Sequence, residues 1–275
     1  MKGQAGKIKI GIVGCGAIGS RMAKSIQKDF GAYCQLTGIY DIQLAKAQEL
    51  AKAIKQKTIV KKTMADLIKD CACMVEAVSA KLTRPIIRQG LNAKKTVLSM
   101  SVGKLLNARD LFQLAHKNKC HLLIPSGAIA GIDAIKAASL IGIDKITLTT
   151  RKPPSGFLGN AFLRQKGIDL HTIRNEMILF EGGVDAAVKI FPQNINVAAT
   201  LALASQCPRK LTIKIITSPA YTMNSHEIEV TGKFGRIMTQ TNNVVCPDNP
   251  KTSYLAVLSG LQTLKQYCSG VFIGT

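Results

Sequence analysis

The chain has 275 residues, of which 47% are hydrophobic, so it can form one large or two modest folded domains, and a disordered protein is excluded. Its 37 lysines and arginines outnumber 16 acidic residues and give a formal net charge of +21. The basic residues are spread evenly and aromatic residues make up only 5%, so we expect a basic surface that attracts small anions and no nucleic-acid partner.

The start of the sequence and the cysteines bear on where the protein acts and on whether it holds a metal or a disulfide. Residues 1–9 are basic and glycine-rich and lack a signal-peptide pattern, and the apolar run around INVAATLALA is too short to cross a bilayer. We therefore expect a cytoplasmic protein with no membrane partner. The eight cysteines are scattered through apolar segments without the paired spacing of metal ligands. We expect neither a metal nor a disulfide.

The stretch IKIGIVGCGAIG, near the N-terminus, predicts a buried strand that turns through glycines into a helix. Gly14 suits the tight turn, Gly16 lets the backbone approach a pyrophosphate, and Gly19 allows close packing of helix on strand. Ala17 and Ile18 lie at the start of the helix, where unpaired N–H groups attract an anion. Together these five residues predict part of a dinucleotide site.

A second predicted strand, residues 36–41, ends in Asp41, 22 positions after Gly19. A carboxylate at this spacing is suited to bonding the ribose hydroxyls of a dinucleotide, although it could instead only cap the helix predicted over residues 43–55. Because a carboxylate repels a 2′-phosphate, we expect NAD to be preferred. Lys46 lies nearby, so NADP stays possible.

Strands and helices continue to alternate through the first 124 residues, which predicts βαβ units and a parallel sheet. Ligands of such sheets lie beyond the carboxyl ends of the strands. The loops after Val78 and Val102 are therefore expected near the cofactor. This makes Ser79 and Ala80 candidates for cofactor binding, with Ser101 in the second loop.

Past Pro125 the pattern changes to alternating strands such as KITLTTRK, LTIKIIT and HEIEVTG, interspersed with helices. Strands with one polar face indicate a mostly antiparallel sheet with helices on one side, that is, an α+β domain. We predict an α/β protein with two domains. Residues 1–124, completed by a C-terminal helix over 250–275, bind the dinucleotide, and residues 125–249 form the substrate, catalytic and dimerisation domain.

His226 is the main candidate for proton transfer, because imidazole titrates nearer neutrality than other side chains. It opens the strand HEIEV and shares a face with Ile228 and Val230. The pattern alone fits a core histidine equally well.

Two further pairs of residues are candidates for ligand binding. Arg151 and Lys152 precede two prolines at a strand end, where they could hold a carboxylate or simply form an exposed basic strand end. Asn194 and Asn196 begin an apolar helix and could cap it or bond a carboxamide such as that of nicotinamide.

The segments GIVGCGAIG, PSGAIAGIDAIKAA, TRKPP, FPQNINVAATLALA and NSHEIEVTGKFG together resemble the L-aspartate dehydrogenases over almost the whole chain. The first motif occurs in many oxidoreductases, whereas the later four in combination are distinctive. The resemblance implies a Rossmann domain and an α/β domain that supports a homodimer. It also implies oxidation of L-aspartate to iminoaspartate with NAD or NADP, the product then giving oxaloacetate and ammonia or entering NAD biosynthesis.

The resemblance also assigns residues. The family's catalytic histidine, in the N-x-H-E motif, falls on His226, and its cofactor contacts in the alanine-rich loop and the FPxNxN motif fall on Ala130 and Asn196. Arg151, Lys152 and Asn194 stay candidates for substrate binding. Two other interpretations stay open: a related two-domain reductase of the dihydrodipicolinate or homoserine type, and a non-catalytic NAD-binding regulator.

Overall fold

The structure is a computed structural model that describes residues 6–78, 81–191, 196–247 and 249–274. Two compact units emerge from its internal contacts: Met1–Pro125 with Val257–Ile273, and Ser126–Ala256 with Gly274–Thr275. Along the described parts of the chain, no helix is both long and apolar enough to span a membrane.

The first unit is built around a five-stranded sheet with the strand order β2-β1-β3-β4-β5, and every neighbouring pair is parallel. The strands are β1 (Ile8–Val13), β2 (Cys34–Tyr40), β3 (Cys73–Glu76), β4 (Thr96–Ser99) and β5 (Leu122–Leu123). The helices between them are α1 (Ala17–Asp29), α2 (Leu44–Ala53), α3 (Met64–Asp70), α4 (Thr83–Asn92) and α5 (Arg109–Lys117). All residues of β3 and β4 are buried, as expected for strands of a parallel sheet covered on both faces. The predicted dinucleotide-binding fold is confirmed.

The second unit contains a five-stranded sheet with the order β10-β9-β6-β8-β7 and a two-stranded sheet of β11 and β12. Its strands are β6 (Ile143–Lys152), β7 (Met177–Gly183), β8 (Leu211–Thr217), β9 (Asn224–Gly232), β10 (Gly235–Asn243), β11 (Val245–Cys246) and β12 (Asn249–Ser253). Its helices are α6 (Ile132–Ser139), α7 (Ala161–Gln165), α8 (Val184–Ile190) and α9 (Asn196–Ser205). Only β6 and β8 pair in parallel within the large sheet, so the predicted mostly antiparallel sheet is confirmed.

The large sheet of the second unit has two chemically different faces. On β9, His226, Ile228 and Val230 are buried, whereas the alternating Glu227 and Glu229 are more exposed. Since successive side chains of a strand point to opposite faces, this alternation places the imidazole on the buried face.

The C-terminal helix α10 (Tyr254–Ser269) is shorter at both ends than the predicted helix over 250–275. Asn249–Ser253 forms strand β12 instead, and residues 270–274 are not helical. Within the first unit, Gly260 of this helix lies against Met100 and Met22. A Cβ built on Gly260 would come within 2.6 Å of the Met100 sulfur, so the methionine side chain occupies the space that the glycine leaves.

Candidate functional site

The glycine turn after β1 has the geometry that its sequence predicts. Gly14 has a φ of +95°, and a Cβ on Gly19 would lie 1.8 Å from the carbonyl oxygen of Gly14. Both positions therefore exclude any side chain. Beside Gly16, in contrast, a Cβ would meet no atom within 4 Å, which leaves open space for a phosphate next to the backbone.

The start of α1 is also suited to an anion. Its N-cap is Gly16, which has no side chain to accept from the first N–H groups, and the first turn contains no acidic residue. Ala17 and Ile18 are half-buried there. The positive end of the helix dipole is thus left without a negatively charged side chain of its own, which fits a pyrophosphate.

Asp41 follows β2 and connects the glycine turn with the region before α2. One carboxylate oxygen accepts from the Cys15 N–H and the other from the Gln43 N–H, both at 2.8 Å. A carboxylate oxygen can accept a second hydrogen bond, so each retains capacity for a ribose hydroxyl.

A cavity of about 370 Å³ lies beside this carboxylate. Gly14, Gly16 and Asp41 line it together with Lys46. Much of the remaining wall is apolar and includes Met64, Leu82, Pro85 and Ile86. An apolar cavity with a few polar groups at one side is typical of a nucleotide site.

Glu76, at the end of β3, is a site residue that the sequence reasoning missed. It is fully buried, and its Oε1 accepts from the Val78 N–H and the Thr83 hydroxyl at 3.1 and 3.2 Å. Its Oε2 accepts from the Ser99 hydroxyl at 2.7 Å and the Ser101 N–H at 3.3 Å. This carboxylate therefore ties together the segments that follow β3 and β4. A single charged residue within CMVEAV was the available signal.

The two neighbouring candidates Ser79 and Ala80 lie outside the described residues. The segment just before them is anchored twice, since Val78 donates its N–H to Glu76 and accepts from the Ser101 hydroxyl at 2.9 Å. Ser101, which the sequence placed near the cofactor, is thus bonded to the last described residue before the other candidate loop.

In the second unit, His226 is only 4% exposed and its Nδ1 lies 3.0 Å from the hydroxyl oxygen of Thr150. The two residues are direct partners in the pairing of β9 with β6. If Nδ1 carries the proton and donates to Thr150, Nε2 has a free lone pair and can accept a proton. Burial, and secondarily the charge of Lys152, lowers the pKa of His226 from 6.5 to about 3. The imidazole is therefore neutral at physiological pH.

The two basic candidates at the end of β6 point in different directions. Lys152 is two residues beyond Thr150 and so shares the face of His226, and burial lowers its pKa from 10.5 to about 8. Arg151 points to the opposite face, where its guanidinium donates to Glu227 at 3.0 Å. The structure thus groups Lys152 with His226 and separates Arg151 from both.

The alanine-rich loop, defined here as residues 127–131, lies against strand β10. The carbonyl of Ala128 accepts from Thr241 at 2.8 Å, and that of the exposed Ala130 accepts from Thr239 at 3.2 Å. Thr241 is in turn the direct partner of His226 in the pairing of β10 with β9. The loop that carries Ala130 is therefore fixed to the strand next to the histidine.

One of the two remaining candidates, Asn196, lies at the start of α9. Asn196 is its first residue and is exposed, and Gly127 of the alanine-rich loop lies beside Val197. Asn194 lies outside the described residues. Across the ranges that the structure describes, no group of three or more His, Cys, Asp or Glu side chains could hold a metal ion, and the cysteines are free.

A glycine turn with a carboxylate suited to ribose hydroxyls in one unit and a buried histidine beside a lysine in the other define the class: a two-domain oxidoreductase that uses a nicotinamide dinucleotide. Residues 14–125 match the family model of the homoserine dehydrogenase NAD-binding domain. Residues 133–267 match that of the aspartate dehydrogenase C-terminal domain.

Curated relatives agree with the second of these matches. The chain is 42% identical to the L-aspartate dehydrogenases of Methanosarcina barkeri and Methanosarcina mazei, covering 98% of this chain and 100% of each relative. A crystal structure of aspartate dehydrogenase from Thermotoga maritima shares the fold, with a TM-score of 0.72 and 22% identity over 98% of this chain and 100% of that one. The chain belongs to the L-aspartate dehydrogenase family.

The first prediction concerns the buried carboxylate of Glu76. Glutamine at this position keeps the shape but turns one oxygen into an NH₂ group. Each carboxylate oxygen accepts a hydrogen bond from a backbone N–H whose direction is fixed. Whichever oxygen is replaced, the new NH₂ group would therefore face another donor. We expect Glu76→Gln to lower the free energy of unfolding by about 1–3 kcal/mol, measured in urea. NADH binding, followed by NADH fluorescence, should weaken as well.

Asp110→Asn is the matched control, because it makes the same chemical change at a half-exposed carboxylate paired with Arg84 and Arg88. It should alter the free energy of unfolding by less than about 1 kcal/mol. If Glu76→Gln were no more destabilising than this control, the anchoring role of Glu76 would be wrong.

The second prediction concerns pH. The pKa of His226 is about 3 in the folded protein against 6.5 ordinarily, so below pH 6.5 the unfolded chain binds the extra proton. Stability is therefore lost as the pH falls, by at most about 1.4 kcal/mol per pH unit. Lys152, with its pKa of about 8, stays protonated over this range.

His226→Asn cannot titrate, so the variant should lack this contribution. The free energy of unfolding of the wild type minus that of the variant should fall between about pH 7 and about pH 4.5 in urea denaturation experiments. Parallel pH profiles for the two proteins would show that the imidazole is not held neutral by the fold.

Proposed function

We propose that this chain oxidises L-aspartate to iminoaspartate with NAD as hydride acceptor, and that the imine then hydrolyses to oxaloacetate and ammonia. The observation that carries the proposal is the buried, neutral His226, bonded to Thr150 and within range of the charge of Lys152. Membership of the L-aspartate dehydrogenase family supports aspartate as substrate and a nicotinamide dinucleotide as cofactor.

The dinucleotide is proposed to bind at the glycine turn, where there is open space beside Gly16 and the first turn of α1 contains no acidic residue. The residues proposed to hold it are Gly14, Gly16, Ala17, Ile18, Gly19, Asp41, Ser79, Ala80, Ala130 and Asn196. NAD, when bound, supplies the acceptor for the hydride that leaves the α-carbon of aspartate. The protein's own contribution is to bind, orient and move protons.

NAD is proposed to be preferred to NADP because of Asp41. Its carboxylate is suited to two ribose hydroxyls, whereas a 2′-phosphate would meet a like charge and lose those hydrogen bonds. Lys46 lines the same cavity and is the basic residue through which some NADP would be accepted.

Lys152 is proposed to bind a carboxylate of aspartate. Arg151, the other basic candidate, is already paired with Glu227 and lies on the opposite face of the sheet. Since the lysine charge helps to lower the pKa of His226, a carboxylate bound to Lys152 would offset that charge. Substrate binding would then raise the basicity of the imidazole when it is needed. Asn194 is proposed as a further substrate contact.

His226 is proposed to act on water. In the first step the α-carbon of aspartate loses a hydride to the dinucleotide and its neutral amine loses a proton to solvent water, which leaves the C=N bond of iminoaspartate. With its Nδ1–H donated to Thr150, His226 can then accept a proton from water at Nε2. The resulting hydroxide attacks the imine carbon, and His226 returns its proton to the nitrogen. Transfer of the carbinolamine hydroxyl proton to the nitrogen, with cleavage of the C–N bond, then releases ammonia and leaves oxaloacetate.

The family resemblance supports further proposals about context. We propose that the protein is a cytoplasmic homodimer whose product is also available for NAD biosynthesis. No nucleic-acid or membrane partner is part of this proposal. The basic surface implied by a net charge of +21 would attract the dianionic substrate and the dinucleotide.

The third prediction is the test of this function. With NAD present, NADH absorbance should rise on addition of L-aspartate, with a kcat/KM at least about 100-fold above that for D-aspartate, L-glutamate, L-alanine or L-homoserine. Replacing NAD with NADP should lower kcat/KM, because Asp41 disfavours the 2′-phosphate. Turnover of L-homoserine in preference to L-aspartate, or NADH binding without any turnover, would contradict the proposal.

A further inference from the structure

Strand β10 presents one row of polar side chains to the rest of its unit. Along this strand Thr239, Thr241 and Asn243 are half-buried or buried, whereas the alternating Met238 and Gln240 are exposed. Thr239 and Thr241 are the direct partners of Ile228 and His226 on β9 and so share their face of the sheet. A row of polar groups on a buried face requires partners.

The partners are backbone carbonyls of the alanine-rich loop, residues 127–131. The Thr241 hydroxyl and the Asn243 amide both donate to the carbonyl of Ala128, at 2.8 and 3.1 Å. Asn243, which is 3% exposed, also donates to the Thr241 oxygen at 3.1 Å. The Thr241 hydroxyl thus accepts one hydrogen bond and donates another, which fixes its orientation.

The end of the loop is held by packing as well as by hydrogen bonding. Thr239 donates to the Ala130 carbonyl at 3.2 Å. A Cβ built on Gly131 would lie only 2.7 Å from the methyl carbon of Thr239. Gly131 also has a φ of +80°, which favours glycine. The loop backbone therefore approaches β10 more closely than a side chain at Gly131 would allow.

We propose that Thr239, Thr241 and Asn243 are positioning residues that set the place of the Ala130 loop relative to His226. Strand β10 lies between the two, since Thr241 pairs with His226 across the sheet and bonds Ala128 with its side chain. Through this strand, one rigid element holds both the imidazole and the loop assigned to the cofactor. The catalytic meaning of the arrangement rests on the proposed function, whereas the loop's dependence on β10 does not.

The fourth prediction tests the row at its centre. Thr241→Val keeps the shape and removes both hydrogen bonds of the hydroxyl, and Thr241→Ser restores them. In Thr241→Val, amide hydrogen exchange in residues 127–131 should become about two- to tenfold faster, the change expected from losing one or two net hydrogen bonds. The KM for NAD should rise, and kcat should fall by about tenfold, because a loop displacement misplaces the reacting groups. Thr241→Ser should recover most of each effect.

Thr147→Val is the matched control. Thr147 lies on β6 of the same sheet, but it pairs with Glu229 and so lies on the opposite face. This variant should leave the exchange of residues 127–131 and both kinetic constants unchanged. If Thr241→Val fails to fold, Thr239→Val, which removes the bond to Ala130 from a half-buried position, gives the same test.

Each outcome is decisive. Faster loop exchange and altered kinetics in Thr241→Val that serine reverses would support the proposal. Unchanged exchange in Thr241→Val, faster exchange without any change in the kinetic constants, or equal effects in Thr147→Val would overturn it. If the wild type did not oxidise L-aspartate, the proposed function would fail, and the exchange experiment would still decide whether β10 positions the loop.

Discussion

The burial of His226 next to the charge of Lys152 is the interaction on which the proposed chemistry of this protein depends. Burial removes the imidazole from water and the neighbouring ammonium disfavours a second positive charge, so both effects lower the pKa of the histidine. A neutral imidazole with its Nδ1 engaged by Thr150 has one defined nitrogen left for proton transfer. In the proposed mechanism the same two residues link substrate binding to the basicity of the imidazole, because a carboxylate bound to Lys152 would offset the charge that lowers the pKa of His226.

In the first unit, the proposed dinucleotide site is formed mainly by the backbone. Gly14 and Gly19 exclude side chains by direct steric contact, and the helix start at Gly16 offers unpaired N–H groups. Asp41 and Glu76 then hold the surrounding segments through hydrogen bonds to backbone N–H groups. One carboxylate remains accessible to a ligand, whereas the other is fully buried and serves the protein alone.

The sequence is most informative where function depends on local backbone geometry. The glycine turn, the carboxylate after the second strand and the change from parallel to mostly antiparallel strands can all be predicted, because each depends on residues close together in the chain. The residues around Arg151 and Lys152 in the sequence do not show which of the two shares a sheet face with His226. That choice requires the register of β6 against β9, which places Thr150 opposite His226 and thereby Lys152 on the same face.

Residues that act through distant partners give little or no signal in the sequence. Asn243 bonds Ala128, which is 115 positions earlier, and Glu76 bonds Ser99, 23 positions later. Neither belongs to a recognisable motif, since polar residues in strands are common and only the folded chain shows what they contact. Glu76 gives a weak signal in the sequence, because it is the one charged residue of an apolar strand. The threonines of β10 give none, because they follow an ordinary alternating pattern.

His226 is proposed to carry the chemistry of this protein without holding the dinucleotide. The most direct test compares turnover of L-aspartate with NADH binding in His226→Ala. We expect kcat to fall by about 100-fold or more, while the Kd for NADH stays within about twofold of the wild type. Near-normal turnover, or a loss of NADH binding that explains the whole loss of activity, would contradict it.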